Sequence, residues 1–170
     1  MQSRHRGRVE LFLGIVGSLA IVLTVAAATS RAGVLPATAG ACGLITREEA
    51  ARALGAPVPV GTEKHMVDVP IAGQTIKAEY CFYGSEVLLT RFELGKDAAA
   101  LFNGYRQSLA SRDGYQDVKG VGDEAFVAKG QLAVRKGQSG LIVDAGQARG
   151  GGAKELAAEK GLALMALGRF

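Results

Sequence analysis

Twenty consecutive residues without a charged side chain, Leu11 to Ser30, constrain this chain more than any other feature. As a helix the run is roughly 30 Å long, about the thickness of a bilayer's hydrocarbon core. Arg4, Arg6 and Arg8 precede it, and only Arg31 closes it. That excess of positive charge makes residues 1–10 a cytoplasmic basic head, residues 11–30 a transmembrane anchor, and everything after Arg31 extracytoplasmic. The expectation is a single-pass plasma-membrane protein that meets the membrane through residues 11–30. Two other fates compete. A secretory signal has an apolar core of about 7 to 15 residues and a small-x-small cleavage site. Here the run is longer, Ala26-Ala27-Ala28 lies inside it, and Ala37-Thr38-Ala39 sits well downstream. Cleavage at either site would release a secreted protein. A lipoprotein needs a leucine-rich box directly before its cysteine, but Ala39-Gly40-Ala41 precedes Cys42, far from the run. Segment length and flanks favour the anchor, with residues 31–41 as a short flexible linker.

Residues 42–170 then form one extracytoplasmic domain, 129 residues long and large enough for a real core. It carries 16 Lys/Arg against 15 Asp/Glu, so most of the whole-chain charge of +4 belongs to the head. A nearly neutral domain with scattered basic residues excludes nucleic acid as the expected partner. Its two cysteines, Cys42 and Cys81, are the only ones in the chain. In an oxidising compartment an even pair reads as a disulfide. Closing a loop of about 40 residues stabilises a fold by about 4 kcal/mol in the chain-entropy model. Free thiols or metal ligands are the rival reading, but two thiols and His65 fall short of a four-ligand structural zinc set.

Local patterns give the elements. Thr46 and Glu49 have the spacing of a capping box, flanked by Ile45 and Ala50 at hydrophobic-staple positions, and Gly55 ends that short helix. Period two starts at Met66, Asp68 and Pro70 and, after a turn at Ala72-Gly73, places Ile76, Ala78, Tyr80 and Phe82 on one face of the next strand and Lys77, Glu79, Cys81 and Tyr83 on the other. A turn at Gly84-Ser85 leads into a strand over residues 86–94, antiparallel to the one before it. Asp97 is placed to cap a helix with Ala98, Leu101, Phe102, Tyr105 and Leu109 at helical spacing, ending at Asp113-Gly114. Three glycine-separated strands follow over 124–128, 132–136 and 141–145. A final helix over 154–167 carries Leu156, Ala157, Ala163, Leu164 and Leu167 on one predicted face. The order α-βββ-α-βββ-α predicts an α+β fold, a mainly antiparallel sheet with packed helices, preceded by the transmembrane segment.

Several of these motifs, taken in order, resemble a family. The string Cys42-Gly43-Leu44-Ile45-Thr46 with Glu49-Ala50 and Leu54-Gly55 is similar to the opening of actinobacterial secreted proteins and lipoproteins of unknown function. Tyr80-Cys81-Phe82, Gly120-Val121-Gly122-Asp123-Glu124-Ala125 and the Ala/Leu-rich last helix extend the likeness over residues 42–170. The resemblance implies a paired cysteine, an envelope location and a PsbP-like α-β-α sandwich, and it carries no activity or catalytic residue. The missing lipobox departs from the lipoprotein members and favours a transmembrane tether.

No catalytic, cofactor-binding or metal-binding set is legible. Gly120-x-Gly122 lacks a third glycine and precedes a strand, so it reads as an entry turn. Asp123-Glu124 is one adjacent pair, too few ligands for a cation, and reads as a solvated turn. His65 has only Asp68 nearby, and a period-two strand puts those two on opposite faces. Tyr83, sharing a face with Cys81, and Tyr115, in a loop, are the candidates for a recognition surface. The function expected is a non-catalytic, membrane-tethered interaction or ligand-binding domain of the envelope, with an envelope protein or small ligand as partner. The alternatives are a lipid or glycan carrier with its pocket between the final helix and the sheet, and an enzyme using His65, Asp68 or Asp123-Glu124.

Overall fold

The computed structural model describes residues 40–84, 88–146 and 151–170. The basic head, the 11–30 segment and linker residues 31–39 lie outside the described residues. Among the described residues no helix is long and apolar enough to cross a membrane. After a 3₁₀ turn at Ala41–Gly43, helix α1 spans Arg47–Leu54. Strands β1 (Thr62–Ile71), β2 (Gln74–Phe82) and β3 (Leu88–Glu93) follow. A second 3₁₀ turn, Gly95–Asp97, leads into α2 (Ala98–Leu109). Strands β4 (Gln116–Val118), β5 (Glu124–Ala128), β6 (Gln131–Lys136) and β7 (Ser139–Asp144) precede the last helix, α3 (Ala153–Leu167).

The seven strands make one sheet in the order β1-β2-β3-β7-β6-β5-β4. Every neighbouring pair is antiparallel, so the fold is α+β as the pattern predicts. Two meanders, β1–β3 and β4–β7, are joined by α2 and meet where β3 pairs with β7. At that junction Phe92 faces Gly140, and the ring fills the space a Cβ would need. Strand β4 was not expected: it is three residues long and buries only Val118, too short for a period to show.

Side-chain alternation gives the sheet two cores. Cys81, Leu89, Val127, Leu132, Val134, Leu141 and Val143 pack with α1 and α3 on one face. Ala78, Phe92, Phe126, Ala133 and Ile142 pack with Leu101 and Phe102 of α2 on the other. Helices therefore cover both faces of the sheet. The middle strands β5–β7 bury both of their faces, which explains their nearly continuous apolar runs.

The helix ends match their sequence signals unevenly. The capping box of α1 is present: Glu49 N–H donates to Thr46 Oγ1 at 3.2 Å, and Thr46 N–H to Glu49 Oε2 at 2.8 Å. Ile45 and Ala50, the staple pair, are both buried, and Gly55 ends the helix in the left-handed region at φ 66°. Asp97, in contrast, makes no side-chain cap bond, because the preceding 3₁₀ turn feeds directly into α2. That helix ends at Leu109, with the chain turning through Ala110 and Arg112 before Gly114. The buried face of α3 is Ala158, Glu159, Leu162, Ala163, Ala166 and Leu167, whereas Leu164 is 53% exposed and Ala157 is also exposed. Ala and Leu run all round this helix, so its sequence offers no distinct stripe from which to choose a face.

Candidate functional site

The cysteine pair is bonded: Cys42 and Cys81 form a disulfide with their Cα atoms 4.9 Å apart. Tyr83 lies on the same face, as predicted, and is buried there. It is only 2% exposed, and its hydroxyl donates to the Ile45 carbonyl at 2.5 Å, fastening the segment before α1 to the sheet. Burial pushes that hydroxyl's pKa up to about 12, with Glu49 and Glu63 adding to the effect. Tyr115 is half-buried, its ring 5.8 Å from that of Phe126 and its hydroxyl donating to Asp117 Oδ1 at 2.9 Å. Its ring closes the edge of the α2-side core, and its polar end meets an exposed carboxylate.

The remaining sequence candidates fall into ordinary pairings. Asp123 and Glu124 both bind Arg135, at 3.0 and 2.8 Å, and Asp123 also accepts from the Gly137 N–H at 2.8 Å. Gly122 has φ 62°, and a Cβ there would strike the Arg135 carbonyl. The Gly-x-Gly-Asp-Glu segment thus locks the entry of β5 against β6. A bulge between Lys64 and Val67, with Met66 at φ 53°, corrects the period-two reading of β1. It brings His65 and Asp68 onto one face, yet they do not pair. His65 lies 3.7 Å from Glu63 and 3.6 Å from Glu79, while Asp68 pairs with Lys77. Glu63 already accepts from the Cys42 N–H at 3.2 Å, Glu79 lies 4.0 Å from Arg91, and His65 is exposed. This cluster is a surface ion network.

A different group of residues makes the more unusual site. The first turns of α3 and the strands β4 and β5 enclose a recess of about 420 Å³, lined by Gln116, Val127, Gly130, Glu155, Leu156 and Glu159 among others. Glu155 and Glu159 are one helical turn apart and so share a side of α3. Asp144, at the end of β7, joins them: one carboxylate oxygen from each of the three lies within 4.8 Å of the others. Asp144 is held by the Gln131 side-chain amide at 2.9 Å and the Gly146 N–H at 2.8 Å. Glu159 has no exposed surface, and its Oε1 accepts from the Ala145 N–H at 3.3 Å. Its Oε2 is buried with no hydrogen-bond partner among the described residues. Burial pushes its carboxyl up to about 8, with the Glu155 and Asp144 charges reinforcing the shift and the Ala145 N–H opposing it. Chemically the recess offers carboxylate oxygens beside the apolar walls of Val127 and Leu156, with no histidine, serine, cysteine or lysine among its described lining residues.

None of the three carboxylates stands out in the sequence. Two sit on a helix and one at a strand end, and separately each reads as a solvated charge. In the structure Glu159 lies on the buried arc of α3 with Ala158, Leu162, Ala163 and Ala166, an arc that the Ala/Leu-rich sequence does not single out. Compared with protein-family models, with curated proteins and with solved structures, the chain matches none.

Proposed function

We propose that this chain is a non-catalytic binding domain of the cell envelope, held outside the plasma membrane by residues 11–30, and that its ligand enters the recess at the start of α3. The observation that carries the reading is the buried, unpartnered Oε2 of Glu159 on the wall of that recess. A buried carboxyl oxygen without a partner is costly to a fold, and such groups in native proteins call for an explanation such as a bound ion. The recess is of the size at which small-molecule sites begin, about 300 Å³ and upward. The uncharged run behind three arginines supports the address, as do the cysteine pair and the resemblance to secreted actinobacterial proteins.

A small-ligand carrier is the second reading, favoured by the place of the recess, between the final helix and the sheet. The rest of that seam is packed: Leu162, Ala163 and Ala166 are fully buried. A carried molecule would therefore be small, and carboxylate walls favour a sugar or a cationic group over a lipid phosphate. Native mass spectrometry of the protein extracted from its own membranes, without reductant, tests both readings. A reproducible ion or small-molecule adduct on the folded chain, absent from Glu159→Gln, is the expected result. A bare chain overturns the recess as a binding site, as does one bound only to another envelope protein.

A further inference from the structure

The carboxylates of the recess have a chemistry that selects a ligand class. Oxygen ligands with no nitrogen or sulfur suit hard cations, chiefly calcium, magnesium and manganese. Calcium takes oxygens at about 2.3–2.6 Å in flexible geometry, whereas magnesium demands a near-ideal octahedron at about 2.0–2.1 Å and retains its waters. The three carboxylates present one oxygen each within 4.8 Å of one another, close enough for a single cation to touch all three. They come from two elements, so no single flexible loop supplies them. Asp144 is already oriented by Gln131 and Gly146, the kind of outer support that fixes a metal ligand. Glu159, fully buried and with one oxygen unpartnered, supplies the observation that an exposed acidic cluster lacks. The other candidate, Glu63 with His65 and Glu79, has its carboxylates engaged by Cys42 N–H and Arg91.

We propose that Asp144, Glu155 and Glu159 together bind one calcium ion, completed by water from the recess, and that the ion fastens the start of α3 to the end of β7. The proposal rests on the reading of the recess as a binding site and names its occupant. Extracellular calcium modules have dissociation constants of about 0.1–1 mM. At 10 mM calcium the unfolding midpoint of the full chain in detergent should then rise by about 5–10 °C over its value in chelator.

The decisive comparison is with Glu159→Gln, which keeps the side chain's shape and the acceptor for Ala145 but removes the charge. In chelator this variant should unfold at or above the wild-type temperature. In 10 mM calcium it should lose most of the shift, and calorimetric titration with calcium chloride should show one site in the wild type and none in the variant. No calcium shift in the wild type overturns the proposal. So does a shift that survives in Glu159→Gln, which would place the ion elsewhere, or one that magnesium reproduces at equal concentration. An organic adduct in the recess without any calcium effect overturns the ion but leaves the binding reading standing. Absence of both removes the two together.

Discussion

Glu159 meets an environment that water never offers a carboxylate: no solvent, one backbone N–H, and two further carboxylates, Asp144 and Glu155, facing it. Its carboxyl, ordinarily near 4.5, is pushed up to about 8 in the folded protein. Between those values the folded chain holds a proton that the unfolded chain has released. The group's contribution to stability is therefore complete below about 4.5, declines as pH rises, and is gone above about 8. While one proton separates the two states, the slope approaches about 1.4 kcal/mol per pH unit. Glu159→Gln cannot ionise and removes this slope. In chelator, the variant's advantage over the wild type should grow from pH 5 to pH 8 and then level off, measured by urea unfolding at each pH. Parallel profiles would mean that Glu159 stays ionised in the fold.

Among the elements, α1 shows how a short helix is held in place. It has eight residues, too few to persist alone, and it survives because both of its ends are tied. Thr46 and Glu49 close the first turn, and Glu49 also forms a two-pronged pair with Arg169 at 2.6 and 2.7 Å. The Arg169 bond holds the Glu49 carboxyl down at about 2. Thr46→Ala removes one cap bond and should lower stability by about 1 kcal/mol, leaving the Glu49–Arg169 pair to keep the helix docked. Chemical denaturation measures the loss, and an unchanged midpoint would mean that the pair alone fixes the helix. Elements like this one were legible because their signals are local: a cap three residues from its partner, a glycine at the stop, alternation along β2. The bulge in β1 was not, since Met66 at φ 53° has no signature in its residue type. Neither was the buried face of α3, which depends on what the sheet presents to it. The carboxylate site was hidden for the same reason, because Asp144 and Glu159 are brought together by the packing of β7 against α3 and by nothing in their spacing.

At the scale of the whole molecule, the disulfide and the recess belong to different parts of the sheet. Cys42–Cys81 fastens the first described segment to β2, next to the edge strand β1, while the recess lies against β4 and β5 at the far end. The bond closes a loop between residues 39 apart in sequence, which in the chain-entropy model is worth about 4 kcal/mol. That loop contains α1, β1 and most of β2. Strands β5–β7, buried on both faces, owe their packing to α2 and α3. Reduction should therefore loosen one end of the molecule first. In hydrogen exchange of the full chain, amides of α1, β1 and β2 should lose protection on adding dithiothreitol, while β5–β7 remain slow, and Cys42→Ser/Cys81→Ser should reproduce that map without reductant. Uniform acceleration across all seven strands would show that the sheet opens as one cooperative unit. The local outcome carries a consequence for function: a domain that loosens at the β1–β2 end keeps Asp144, Glu155 and Glu159 in place, so the reduced protein should still gain stability from calcium.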